Sequence, residues 1–227
     1  MKNIRIDFVS DVACPWCAIG LGSLEQALDQ LKDEIQVELQ FHPFELNASM
    51  PKGGQDSMEH LMQKYGSSKE TIQKNQEQIL LRAAAAGFPF SEKVRPRVYN
   101  TFECHRLLHW AMTEVSLAAQ YLLKRELLIS YFRLLEDLDD PEVLLGAVKR
   151  AGINVVEARK ILESDKYASE VREALAYYRT IGINAVPSVI IEGKYLVQGG
   201  QPAEVFVETL RQIANEPSTD IESDDLS

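Results

Sequence analysis

The chain has 227 residues, 45% apolar and 26% charged, which fits a globular protein of one large domain or one domain with a second inserted. Thirty-four acidic against 24 basic residues give a net charge of -10, which argues against nucleic acid, whose binders carry a basic stripe, and against an anionic membrane surface. Three cysteines cannot build a disulfide framework, so a cysteine pair here points to catalysis or metal binding.

The first residues, "MKNIRIDFVSDV", show no apolar h-region and no small-residue cleavage site, and no apolar run reaches transmembrane length. The expected location is the cytoplasm, where thiols are kept reduced. "IRIDFV" puts Ile4, Ile6 and Phe8 on one face at period two and reads as a strand. A helix follows. Pro15 suits its first position, and Leu24, Ala27, Leu28 and Leu31 continue at helical spacing. "IQVELQFHPF" alternates again and reads as a second strand, parallel to the first through a right-handed crossover.

From residue 48 to about 164 the signal is almost wholly helical. "NASMPKGGQD" is a loop, "SMEHLMQKYG" and "SKETIQKNQEQILLRAAAAG" are helices, and "FPFSEKVRPRVY" is a connector. "NTFECHRLLHWAM" starts with Asn100 as N-cap and Glu103 three residues on. A long Leu-rich helix over "SLAAQYLLKRELLISYFRLLEDL" and a capped one over "DDPEVLLGAVKRAG" complete the block. The chain then returns to mixed structure. "YASEVREALAYYRTIG" is an amphipathic helix, "VPSVIIEGKYLVQGG" a hairpin turning at Glu192-Gly193, and "PAEVFVETLRQIA" a last helix. "NEPSTDIESDDLS", residues 215–227, is acidic and predicts a disordered tail.

Without the helical block the order is β-α-β, then α-β-β-α. That predicts an α/β, thioredoxin-like fold with an inserted all-helical domain. Residues 1–47 and 165–214 form its halves and residues 48–164 the insertion.

Cys14 and Cys17 fall at the end of the first strand and the start of the first helix. With Pro15 first in the helix, Cys14 is the N-cap, and its sulfur is expected to face the backbone N–H groups of Trp16 and Cys17. The helix dipole adds positive potential, and both effects favour a thiolate. Cys14 is thus the expected exposed nucleophile. Cys17, a turn deeper, is the resolving thiol. Structural zinc needs four ligands, and the chain has no second C-x-x-C and no H-x₃₋₅-H after the pair. His105 and His109, at i,i+4, lie in the separate block, so no metal site is expected. Two inert core cysteines would not explain the strand-end, helix-start placement. Pro187 in "NAVPSV" precedes a strand. In a thioredoxin-like fold that proline is cis and faces the cysteines, turning the backbone of Val186 toward an extended peptide or glutathione. Trp16 beside Cys14 is an expected apolar contact for substrate.

Four stretches, "SDVACPWCAIG" (10–20), "NTFECHRLL" (100–108), "GINAVPSVIIEGKY" (182–195) and "VQGGQPAEVF" (197–206), resemble the FrnE-like branch of the DsbA thiol-disulfide oxidoreductases. That branch is close to 2-hydroxychromene-2-carboxylate isomerases and kappa-class glutathione transferases. The resemblance implies that Cys14, Cys17 and the Val186-Pro187 bond form the active site; Pro15 and Trp16, between the cysteines, are assigned to substrate contact. It implies thiol–disulfide exchange with protein or small-molecule thiols, no tightly bound cofactor, and glutathione as co-substrate. The isomerases and transferases carry serine at position 14. The cysteine here favours dithiol redox chemistry over their glutathione-dependent isomerisation or transfer. A redox-switched peptide-binding module without turnover is the third reading.

Cys104 stands where alanine is usual. It is either an extra thiol near the site or a small packing residue. Asp7 is the expected buried acid that takes the resolving proton. Asp11 competes for that role, its plainer reading being a loop residue bonded to its own backbone. His105 and Arg106 would lie over the site mouth, Arg106 binding a glutathione carboxylate, unless they are a surface His and a helix-face Arg. The Gly199-Gly200-Gln201 stretch would hold a carboxylate at the last helix N-terminus, or be an ordinary turn. A homodimer through the Leu-rich helices is open.

Overall fold

The structure is a computed structural model that describes residues 1–216. The acidic tail expected over 215–227 lies, from residue 217 on, outside the described residues.

Strand β1 (Lys2–Ser10) is followed by α1 (Pro15–Gln30) and β2 (Ile35–Pro43), and β1 and β2 pair in parallel from Lys2↔Ile35 to Ser10↔Pro43. The helical block carries two short strands, β3 (Gln55–Asp56) and β4 (Arg97–Val98), and the helices α2 (Ser57–Tyr65), α3 (Lys69–Ala85), α4 (Phe102–Trp110), α5 (Leu117–Ile129), α6 (Pro141–Arg150) and α7 (Val155–Leu162). The second half supplies α8 (Ala168–Thr180), a hairpin of β5 (Ser188–Ile191) and β6 (Tyr195–Gln198), and α9 (Ala203–Asn215). The sheet order is β2-β1-β5-β6, with β5 antiparallel to both β1 and β6. This is a thioredoxin fold with helices inserted between its halves, as the element order predicts.

The elements follow from local chemistry. Asp56 accepts the N–H groups of Met58 and Glu59 to start α2, and Gly66, left-handed at φ 62°, ends it. Glu192 and Gly193 both adopt positive φ (55° and 65°) in the three-residue loop, 192–194, that the Ile191↔Tyr195 pairing leaves between the strands. Three details differ from the sequence expectation. Helix α4 starts one residue later than expected, after Thr101, whose side chain makes no capping bond; the Asn100 side chain accepts the Phe102 N–H at 2.8 Å, and Glu103 turns to Arg106 instead of closing a capping box. The 153–164 stretch forms its own helix, α7, capped by Asn154. Inside the expected loop and connector, Gln55–Asp56 and Arg97–Val98 pair as a two-residue ladder.

Ile4, Ile6 and Phe8 of β1 sit at the centre of a core that runs through α1 (Leu21, Leu24), α9 (Phe206, Leu210) and the helical block (Leu107, Leu123, Leu127). Each such side chain stabilises the fold by about 1.5–3 kcal/mol. The insertion thus shares one core with the sheet. On the other face, Val9 meets Phe44, Tyr178 and Ile183. Edge strand β2 is closed off by Gln120 of α5, whose amide accepts the Phe41 N–H at 2.9 Å and donates to the Phe41 carbonyl at 2.8 Å. Helix α1 packs backbone to backbone on the end of α3: a Cβ on Gly22 would stand 2.3 Å from the Ala86 carbonyl oxygen.

Candidate active site

Cys14 occupies the N-cap of α1 with extended backbone (φ -91°, ψ 116°), and Pro15 opens the helix. The sulfur does not cap the helix, contrary to the expectation. Its S–H points across to the Val186 carbonyl at 3.7 Å, while the Cys17 N–H is taken by the Cys14 carbonyl at 3.1 Å. Nor is Cys14 an exposed cap: it is 3% accessible and Cys17 fully enclosed, because the 186–187 loop and the turn before α9 close over the helix start. Trp16 is the exposed member, at 37%.

The Val186-Pro187 bond is cis. Two glycines make room for this loop. A Cβ on Gly20 would stand 3.1 Å from Pro187 Cγ, and one on Gly200 would stand 3.1 Å from both Trp16 Cε3 and the Trp16 carbonyl oxygen. The Gly199 N–H donates to the Pro187 carbonyl at 2.8 Å. The "CPWCAIG" and "QGGQ" stretches are therefore two halves of one packing arrangement. Gln201 joins it through its backbone, since its side-chain amide donates to the Gln198 carbonyl at 2.8 Å.

The buried acid of the site is Asp11. One carboxylate oxygen accepts the Ala13 N–H (3.1 Å), the local bond expected of a loop residue; the other accepts the Leu46 N–H (2.7 Å). His105 Nε2 lies 3.7 Å from the first oxygen and 3.0 Å from the Phe44 carbonyl, an acceptor only, so Nε2 carries a proton. Burial by itself raises the Asp11 carboxyl; His105 and the Leu46 N–H outweigh it and hold the group below its ordinary value. Such a carboxylate contributes stability that is present above the ordinary value of 3.8 and lost as pH falls through the lower folded value. Asp11→Asn is expected to cost about 1–3 kcal/mol at pH 7. Urea unfolding followed down to pH 2 should show the gap to wild type shrinking toward zero; a gap independent of pH would mean that the charge contributes nothing.

Several assigned residues lie elsewhere. Asp7 points to the opposite sheet face, where its carboxylate meets Arg5 Nη2 at 2.9 Å and His42 Nε2 at 2.8 Å. Burial would raise it, but these two partners hold it below the usual range, so it is not poised to take a proton from Cys17. His105 is buried between β2 and Asp11 rather than set over a mouth. Arg106 is also buried, its three guanidinium nitrogens donating to the carbonyls of Ile161, Ser164 and Lys166 and to Glu103, so it is committed to holding α4 against the end of α7 and is not presented at a site mouth. Cys104 is fully enclosed in α4, and burial drives its thiol far up, so it is a packing residue and not a ready nucleophile. Among the described residues no cluster of three or more His, Cys, Asp or Glu side chains is arranged to hold a metal ion, and no helix is long and apolar enough to cross a membrane.

An open cleft of about 500 Å³ runs beside this centre between Glu45–Pro51, Lys64 and Arg179. Its wall residue Leu46 packs in the same cluster as Val186, whose carbonyl faces Cys14. Lys64 Nζ donates to the Leu46 carbonyl (2.9 Å) and Asn47 Oδ1 (2.7 Å). The sequence reading missed this cleft, because its cations come from α2 and α8, more than 100 residues apart. It also missed Lys124 of α5, fully buried with its Nζ 5.8 Å from the centre of the Phe41 ring; its only signal was a lysine inside the buried stripe Gln120, Leu123, Leu127, Tyr131.

The DSBA-like thioredoxin domain family matches residues 5–211. The chain is similar to the probable DsbA oxidoreductase SCO1869 of Streptomyces coelicolor, with 31% identity, TM-score 0.84, and 95% of this chain and 92% of that one covered. It is 26% identical to the uncharacterized protein YwbO of Bacillus subtilis (strain 168), over 90% of this chain and 94% of that protein. The cytosolic disulfide reductase DsbM of Pseudomonas aeruginosa, in its structure with GSH, shares the fold at 15% identity and TM-score 0.60, with 92% of this chain and 99% of that one covered. A match spanning nearly the whole chain, on a thioredoxin fold whose first helix opens with Cys14-Pro15-Trp16-Cys17, makes this chain a member of the DSBA-like thioredoxin domain family.

Proposed function

We propose that the chain is a cytoplasmic thiol-disulfide oxidoreductase that works through the Cys14–Cys17 dithiol, with glutathione or a cysteine of a protein as its exchange partner. The observation that carries this is the pairing of Cys14 at the start of α1, its S–H on the Val186 carbonyl, with Cys17 one turn deeper and fully enclosed. Cys14 attacks a substrate disulfide and forms the mixed disulfide. Cys17 attacks the Cys14 sulfur and expels the substrate thiolate, leaving the Cys14–Cys17 disulfide. A thiol then reverses the sequence. The cleft lined by Leu46 presents the cations Lys64 and Arg179 against one carboxylate, Glu45, an excess of positive charge that suits a partner carrying carboxylates, as glutathione does. The structure of DsbM with GSH supports glutathione as a ligand for this fold.

The test is a titration of the Cys14–Cys17 pair against glutathione buffers, with turnover assayed in wild type and Cys14→Ser. The pair should interconvert between dithiol and disulfide, and the substitution should abolish turnover. Turnover that survives Cys14→Ser would favour a glutathione-dependent isomerase or transferase. No turnover in wild type, with a partner bound differently by the two redox forms, would favour a binding module.

A further inference from the structure

The open cleft of about 500 Å³ is tied to the cysteine loop through one residue, Asp11. The Asp11 carbonyl accepts the Cys14 N–H at 3.4 Å, and its carboxylate accepts the N–H of the wall residue Leu46 at 2.7 Å. The cleft thereby keeps a fixed position next to the Cys14 loop. Its two cations are not equivalent. The Lys64 ammonium is part of the wall: it donates to the Leu46 carbonyl at 2.9 Å and to Asn47 Oδ1 at 2.7 Å. Asn47 Oδ1 also accepts from His60 Nε2 at 3.0 Å, and Nδ1 of that ring lies 2.9 Å from Gln55 Oε1, so β3 and α2 hold the 45–51 loop in place. Arg179 stands exposed on the last turn of α8 and makes no hydrogen bond or ion pair among the described residues, with Glu45 of the same cleft or with any other. Its base is fixed nonetheless. The neighbouring Tyr178 ring lies 4.9 Å from that of His42 and packs with Val9, Phe44 and Ile183. A guanidinium so placed has five unused donors in a planar fork, which matches a carboxylate through two parallel bonds.

We infer that Arg179 determines which disulfides the site accepts: its guanidinium binds a carboxylate of the substrate while a substrate sulfur meets Cys14, so disulfides carrying carboxylates are taken in preference to cationic ones. This deepens the oxidoreductase reading above and rests on it. Lys64, whose ammonium is spent on Leu46 and Asn47, builds the wall and is not the anchor. The net charge of -10 makes the assignment sharper. The field of the whole chain favours cationic substrates, so a preference for anionic ones has to come from a cation at the site. In the step so selected, the Cys14 sulfur bonds to one substrate sulfur as the substrate S–S bond breaks and the first thiolate leaves. The Cys17 sulfur then bonds to Cys14 and expels the second. The dithiol gives up two electrons and two protons, the protons reach the departing thiolates through water, and the disulfide leaves as two thiols. Arg179 touches the carboxylate and no reacting atom, so it governs capture and not bond exchange.

The experiment mixes the reduced protein with glutathione disulfide, whose carboxylates outnumber its ammonium groups, or with cystamine, which carries ammonium groups alone. Formation of the Cys14–Cys17 disulfide is followed by acid quench and thiol labelling, and the readout is the ratio of the two second-order rate constants. Arg179→Glu should lower the glutathione-to-cystamine ratio about tenfold or more, because a hydrogen-bonded charge pair is lost and a like charge takes its place. Arg179→Lys keeps the charge without the fork, and its ratio should fall between those of wild type and Arg179→Glu. Lys32→Glu makes the same change of charge past the far end of α1, beyond Gln30, and should leave the ratio close to wild type, since a distant exposed charge is screened. A ratio that Arg179→Glu leaves unchanged, or lowers no further than Lys32→Glu does, overturns the inference. A wild type oxidised by neither disulfide overturns the oxidoreductase reading instead. Calorimetry with S-methylglutathione then decides for Arg179: tighter binding by wild type than by Arg179→Glu upholds its role, and equal binding or none overturns it.

Discussion

Cys17→Ser is expected to convert the protein into a trap: substrate stays on Cys14 as a stable mixed disulfide, and steady-state turnover falls on the order of a thousandfold. The reason is geometric. The Cys17 N–H is bonded to the Cys14 carbonyl at 3.1 Å, which fixes the two residues on one turn of α1. Cys17 thereby attacks at an effective concentration that millimolar glutathione in solution cannot approach. No other thiol can take its place, since the only other cysteine in the chain, Cys104, is buried with its pKa driven up. Intact-mass spectrometry of Cys17→Ser after mixing with oxidised glutathione should show one adduct, and peptide mapping should place it on Cys14. Adducts shared among the cysteines, or turnover close to wild type, would show that Cys17 does not resolve the intermediate.

Arg106→Ala should be the most destabilising change among the residues first assigned to ligand binding. The guanidinium joins α4 to the end of α7 through the carbonyls of Ile161 (2.6 Å), Lys166 (2.9 and 3.0 Å) and Ser164, and it pairs with Glu103 at 2.5 Å. Alanine leaves those acceptors without their donor and opens a void among buried side chains. Since Glu103 is part-exposed, the ion pair itself adds little, and the unpaired carbonyls dominate. The expected loss is about 2–4 kcal/mol, or about 5–15 °C in melting temperature for a chain of this length. Glutathione exchange per folded molecule should be unchanged below the melting transition. A weakened affinity for glutathione with an unchanged melting temperature would return Arg106 to the ligand site.

The contrast between Arg106 and Cys14 shows what is readable without coordinates. The placement of Cys14 and Cys17 depends on nearby residues: the alternation of Ile4, Ile6 and Phe8 ends at the pair, and Pro15 marks the helix start. The hairpin is equally local, because Glu192-Gly193 between two short apolar runs leaves few other turns. Partners that belong to distant segments were not readable. Arg106 looked free on a helix face until α7 arrived 55 residues later to occupy it. Asp7 and Asp11 are four residues apart and equally acidic. Which of them lies at the cysteines depends on β1 ending at Ser10, which leaves Asp7 in the strand and Asp11 in the loop before α1, and on Leu46 and His105, brought in from elsewhere.

By itself the sequence determined the order of elements, the family resemblance, and a dithiol at a helix start with proline ahead of the facing strand. These depend on periodicity and on residues that restrict their own backbone, and both act over a few positions. Only the tertiary structure decided what surrounds the sulfurs: the Cys14 S–H turned to Val186 instead of the helix, and Asp11 rather than Asp7 as the buried acid. Hydrogen bonding and electrostatics in a core are set by distance and solvent exclusion, and neither exists until α4, α5 and the 186–187 loop close over the start of α1.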